Sequence, residues 1–118
     1  MKETFSIKEN RDFRRLYHRG KSAPTGLLVL YAAKNRLGHR RLGLTVGVKL
    51  GGAVVRNRCK RLLREAYRLH EHELPEGWDY VLVARTRLTN AKCQDAERAL
   101  LKAADMLGLR KSMQKSGE

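Results

Sequence analysis

Two periods of apolar residues run along the chain. Val55, Cys59, Leu62, Leu63, Ala66 and Leu69 recur at i, i+4, i+7, i+8, i+11 and i+14. At about 100° per residue they share one side of a helix, which the pattern predicts over residues 54–71. Phe13, Leu16 and Tyr17, at i, i+3 and i+4, predict an earlier helix. Ser6 followed by Glu9 fits a capping box, so that helix is expected to start at Ile7, run to about His18 and stop near Gly20. Thr89 or Asn90 suits the cap of a last helix. Its stripe is Cys93, Ala96, Leu100, Ala103, Ala104 and Leu107, and Gly108 stops it.

Period two marks the strands. Residues 21–25 hold Pro24 and read as a turn or short edge strand. Residues 27–34 form a strand with Leu27, Val29, Tyr31 and Ala33 on one face and Leu28, Leu30 and Ala32 on the other. A basic hairpin loop is expected over 35–40, then a second strand over 41–49. Leu42, Leu44, Val46 and Val48 would enter a core, leaving Gly43, Thr45, Gly47 and Lys49 opposite. Residues 78–85 (W-D-Y-V-L-V-A-R) read as a buried strand after Pro75 and Gly77. The chain is therefore α+β: a single α/β sandwich in the order α-β-β-β-α-β-α, with helices on a small mixed central sheet. No repeat or linker divides it, so residues 1–118 read as one domain with flexible tails over about 1–4 and 110–118. A sheet face of Gly, Thr, Gly and Lys is shallow. It suits either a groove, with Tyr31 as a ring over its floor, or a helix packed closely on small residues. Phe13 and Tyr17 likewise suit the core, or the border of a groove where unpaired bases stack.

Charge narrows the choice. Lys and Arg number 26 against 12 Asp and Glu, for a net charge of +14 and a pI near 10.5, which points to a polyanionic partner. On the central helix Asn57, Lys60, Arg61, Arg64 and Arg68 lie opposite the apolar stripe. Arg56 flanks them, Arg58 sits nearer the core edge, and Glu65 is the only acid in the run. Like charges at i,i+4, such as Lys60–Arg64 and Arg64–Arg68, each cost a few tenths of a kcal/mol, about what an opposite pair would contribute. Nucleic acid to neutralise them is the better reading than a solvated face. No stretch approaches the 18 or so apolar residues of a spanning helix, and no secretory leader is evident. Cys59 and Cys93 form no C-x-x-C pair and suggest a reducing cytosol; the four histidines show no metal spacing. There is no phosphate-cradling G-x-x-x-x-G-K-[ST] string, paired carboxylates or nucleophilic triad, so the chain does not read as a self-sufficient catalyst.

The string G-G-A-V-V-R-N-R-C-K-R-L-L-R-E resembles the signature of the bacterial ribonuclease P protein subunit. N-R-D-F-R-R-L-Y-H-R-G-K, L-V-L-Y, R-L-G-L-T-V, D-Y-V-L-V-A-R and the last helix follow in that family's order, so the resemblance spans roughly residues 5–108. Gly52, where the family often has Asn, and Val48, where it often has Lys, depart from the pattern. The resemblance implies a fold like domain 2 of ribosomal protein S5 and a subunit that helps remove the 5′ leader of precursor tRNA. It implies that the RNA subunit does the chemistry with Mg²⁺ bound mainly by that RNA, leaving no catalytic or metal-binding side chain in the protein. Arg56, Asn57, Arg58, Arg61, Arg64 and Arg68 match the positions that dock on the catalytic RNA. Phe13, Tyr17, Tyr31, Lys49, Arg56 and Lys60 match those at the single-stranded leader, which gives the two aromatics of the first helix a groove role. The implied partners are the catalytic RNA and precursor tRNA, with no membrane and no obligate protein partner, in the cytoplasm. The competing expectation is a ribosomal or other structural RNA-binding protein without processing activity; a protein-only nuclease is disfavoured by the sparse acids.

Overall fold

Alternation along Leu28–Lys34 gives that strand two apolar faces, and both are covered. The computed structural model describes residues 4–110. Its elements are β1 (Thr4–Ser6), α1 (Asn10–Arg19), β2 (Lys21–Pro24), β3 (Leu28–Lys34), β4 (Arg40–Thr45), α2 (Ala53–His70), β5 (Trp78–Ala84) and α3 (Cys93–Met106). Short 3-10 turns fill Val48–Leu50, Glu71–Glu73 and Thr86–Asn90. The strands form one mixed sheet in the order β1-β4-β5-β3-β2, with β1/β4 and β4/β5 parallel and the others antiparallel. Leu28, Leu30, Leu42, Tyr80 and Leu82 join Cys59, Leu63 and Tyr67 of α2 and Leu100 of α3 in the main core. A smaller core on the other face joins Ile7, Leu16 and Val81 with Phe13, Tyr31 and Val83, and holds α1 there.

Several expectations need correcting. Ser6 does not cap a helix: it is extended in β1 opposite Leu42, and the Ile7 amide donates to the Leu42 carbonyl at 2.9 Å. That pairing delays α1 to Asn10 and adds a strand, so the order is β-α-β-β-β-α-β-α. Thr4, expected in a tail, belongs to β1; the tails are otherwise outside the described residues, save for Arg110. β3 and β4 are not a hairpin, because β5 inserts between them and residues 35–39 bridge strands two places apart. β4 ends at Thr45, and Val48 is 75% exposed in a 3-10 turn instead of entering the core.

The stripe of α2 is also rotated. Cys59, Leu63, Ala66 and Tyr67 are buried, whereas Val55 and Leu69 stay exposed near the helix ends. Tyr67 belongs inside because its hydroxyl shares a 2.9 Å hydrogen bond with Thr4 Oγ1, a residue brought there by β1. Finally, residues 86–90 wind into a 3-10 turn, so α3 starts at Cys93, where the Lys92 amide donates to Asp95 Oδ2 at 3.0 Å.

Candidate nucleic-acid interface

β1 stops opposite Leu42, so among the described residues β4 has no strand on its outer side beyond that residue. α1 lies over one face of the sheet there, and Lys60 and Arg64 reach the gap from α2. The result is a furrow made of two adjoining cavities of about 460 and 200 Å³ that share Phe13, Leu44 and Lys60. Asn10, Arg14, Tyr17 and Thr45 line the larger part, and Ser6, Gly43 and Arg64 the smaller. Among the described residues three cations line it and no carboxylate does.

Its floor depends on a missing side chain. A Cβ on Gly43 would stand 2.7 Å from two ring carbons of Phe13, so the glycine is what lets that ring lie on β4. Gly43 pairs with Val81 and Val81 with Tyr31, which puts Tyr31 on this same face with β5 between. Tyr17 meets Tyr31 edge-on at 5.0 Å and lies 6.4 Å from Phe13. Its hydroxyl shares a 2.8 Å hydrogen bond with Thr45 Oγ1, and 39% of the residue stays exposed. A fixed, accessible ring beside cations that have no acidic partner among the described residues suits an unpaired base and its phosphate.

The cationic side of α2 is exposed at Asn57, Lys60, Arg61, Arg64 and Arg68. Arg58 instead donates to the carbonyls of Thr89 and Ala91 at 2.9 and 2.7 Å, fastening α2 to the turn before α3. Arg68 is paired with Glu65. Arg56 is half-buried, and Lys49 is exposed in the 3-10 turn; neither lines the furrow.

Under the opposite flank of α1 lies a carboxylate that the sequence pattern did not single out. Asp79, the second residue of β5, is fully buried. It accepts from Arg41 at 2.9 and 2.7 Å, from Asn35 at 2.8 Å and from Arg15 of α1. Burial would raise the Asp79 pKa, but these donors outweigh it and hold the carboxyl below its usual range. The same pairing, against the opposing effect of burial, raises the pKa of Arg41. The ion pairs clamp α1 to β4 and β5.

Among the described residues, no group of three or more His, Cys, Asp or Glu comes together that would hold a metal ion, and no helix is long and apolar enough to cross a membrane. A family model for ribonuclease P matches residues 1–108. The chain belongs to the ribonuclease P protein family. Membership makes it a protein subunit of ribonuclease P.

It is 45% identical over 102 residues to the ribonuclease P protein component of Pelotomaculum thermopropionicum, covering 86% of this chain and 91% of that protein. Against the component from Clostridium botulinum strain Langeland it is 43% identical over 110 residues, 92% of this chain and 98% of that one. Its fold matches the RNase P protein of Staphylococcus aureus with a TM-score of 0.81 at 30% identity, over 91% of this chain and 98% of that chain. The Thermotoga maritima RNase P protein matches with a TM-score of 0.74 at 31% identity, over 82% and 92%.

On this ribonuclease P protein, Phe13, Tyr17 and Lys60 meet in one furrow, with Tyr31 behind Tyr17. Arg64, expected only at the catalytic RNA, also reaches that furrow. Thr45 lines the furrow on the sheet face expected to form its floor, whereas Arg14 was not among the expected leader residues although its spacing from Tyr17 carried the signal. Asp79 had a weaker one: an acid inside an otherwise apolar strand.

Proposed function

We propose that this subunit assists a catalytic RNA in removing the 5′ leader from precursor tRNA by holding the leader's unpaired bases in the furrow. The observation that carries this reading is the furrow itself: aromatic rings on a glycine floor, with Lys60, Arg14 and Arg64 around them and no carboxylate. Leaders differ in sequence, so the useful contacts are to base faces and phosphates. Stacking contributes about 1–3 kcal/mol per base and accepts any base. Arg56, Asn57, Arg58, Arg61, Arg64 and Arg68 of α2 dock on the folded catalytic RNA by charge and shape, with Lys49 near the leader. The RNA carries the hydrolysis and binds most of the Mg²⁺, in the cytoplasm. The protein's own part is to bind, orient and neutralise.

The test is reconstitution. The full chain is added to catalytic RNA at low salt and low Mg²⁺, and leader removal is followed. Faster cleavage and tighter binding of leader-bearing precursor are expected, with Phe13→Ala and Tyr17→Ala losing more affinity as the leader lengthens. No gain in cleavage or binding on adding the protein overturns the proposal.

A further inference from the structure

α1 is a wall with a basin on each flank. Asn10, Phe13, Arg14 and Tyr17 face the furrow; Arg11, Asp12, Arg15 and Arg19 face a second concavity of about 610 Å³, closed by the 35–39 loop. The second basin holds more cations than the first, though carboxylates answer half of them. Arg11, Arg15 and Arg19 of α1, Lys34 at the end of β3, Arg36 of the loop and Arg41 of β4 all line it. Glu9, Asp12 and the buried Asp79 beneath them answer only part of that charge. Arg11 pairs with Glu9 at 2.6 Å, and Arg41 reaches Asp79 at 2.7 Å and Asp12 at 3.5 Å, while Arg15 also sits on Asp79. Six cations face three carboxylates, and among the described residues Arg19, Lys34 and Arg36 have no acidic partner.

The loop that presents Arg36 is built, not slack. Asn35 accepts the Leu37 amide at 2.8 Å and donates to the His39 carbonyl at 3.0 Å and to Asp79 at 2.8 Å. This turn sets Arg36 at φ +62°, a left-handed conformation that residues other than glycine, asparagine and aspartate rarely adopt. Among the described residues no aromatic ring lines the basin, so it offers charge and guanidinium forks without a stacking surface.

We infer that this basin is a second binding site for the substrate's leader, taking the phosphates of the strand upstream of the bases stacked in the furrow. The inference rests on the leader reading above. Two observations select the leader over the catalytic RNA. The basin lies on the α1 side of the sheet, whereas α2 packs against the other face. Only α1 separates it from the furrow, so a strand leaving the furrow crosses one helix, about 10 Å across, to enter it.

The test uses holoenzyme reconstituted with the full chain and precursors whose leaders lengthen stepwise from none. Two variants probe the basin: Arg36→Gly, which suits the backbone there, and the triple Arg19→Ala/Lys34→Ala/Arg36→Gly. Short leaders, which fill only the furrow, should bind both variants as they bind the parent. Longer leaders should bind the triple variant about tenfold more weakly, with a log–log salt slope shallower by about 2, at roughly 0.7 for each phosphate no longer neutralised. Equal loss at every length, leaderless tRNA included, would assign the basin to another RNA and overturn the inference. So would no loss at any length. Phe13→Ala run in parallel separates the two readings: if it too ignores the leader, the leader reading itself fails and takes this one with it.

Discussion

Gly43→Ala tests the furrow with a single methyl group. The new Cβ would stand 2.7 Å from Cε1 and Cζ of Phe13 and 3.4 Å from Val81. Carbon atoms prefer about 3.5–4.0 Å, so the ring must retreat by about 1 Å. What retreats is the tip of a half-buried side chain, not backbone, so the penalty should fall at the low end of the roughly 1–3 kcal/mol seen for overpacking. A loss of about 1 kcal/mol lowers the melting temperature of a domain this size by about 4 °C, and the fold survives. The displaced ring can no longer form the floor. One stack of about 1–3 kcal/mol is forfeited, which is a loss of about 5- to 150-fold in affinity. The assay is the holoenzyme's dissociation constant for leader-bearing precursor and for leaderless tRNA, beside a melting curve. Only the first should weaken. Adding Phe13→Leu should restore melting without restoring affinity, because a smaller side chain relieves the clash but cannot stack. A folded Gly43→Ala protein that binds leader like the parent would refute the reasoning, as would equal weakening for leaderless tRNA.

Three further outcomes follow from charged side chains and their partners. Burial lowers the His70 pKa, but hydrogen bonds to Glu73 and Glu97 outweigh it and raise the net value. The stabilisation is therefore full below the unfolded value near 6.5 and is lost as pH rises through the higher folded value, so the melting temperature should fall across that window and His70→Gln should flatten the change. Asp79→Asn keeps the shape but leaves Arg15 and Arg41 only the more distant Asp12, at 3.9 and 3.5 Å, as countercharge. The denaturant midpoint should register a loss near the lower end of about 3–5 kcal/mol, because both arginines keep some exposure. In the parent, the depressed Asp79 pKa contributes stability that is present above about 3.9 and lost as pH falls through the folded value. Arg58→Ala removes donors to Thr89 and Ala91 and should lower stability by about 1–3 kcal/mol, whereas Arg61→Ala should stay within about 0.5 kcal/mol and weaken RNA docking.

The helices and four of the strands were legible because each repeats its period over several residues. β1 was not: T-F-S is three residues long, is polar at both ends, and pairs with a strand more than thirty residues away. The same segment carried a false signal, since Ser6 and Glu9 stand at capping-box spacing but Ser6 is held extended by Leu42. A local rule lost to a tertiary hydrogen bond. Insertion of β5 between β3 and β4 was equally invisible, because adjacency in a sheet is set by the crossover and not by either strand's own pattern. The furrow fared better. Alternation puts Gly43 and Tyr31 on one face, and that survives the insertion because each strand keeps its own period of two.

Charge was the least legible property, since a sequence counts arginines without saying which are already satisfied. On α2 the structure divides residues that look alike. Arg58 is committed to two carbonyls and Arg68 to Glu65, so both act first on the protein's own fold. Lys60, Arg61 and Arg64 lie exposed without an acidic partner among the described residues, and two of the three border the furrow. On α1 the division runs differently: Arg15 anchors the helix through Asp79, and Arg14 and Arg19 are left to the two basins. Anchoring cations and free cations thus alternate around one ten-residue helix. Fixing α1 by ion pairs on one flank holds the rings of the other flank in register with Gly43. The wall therefore carries cations on both flanks without relying on a deep core beneath it, where Leu16 is its one buried residue.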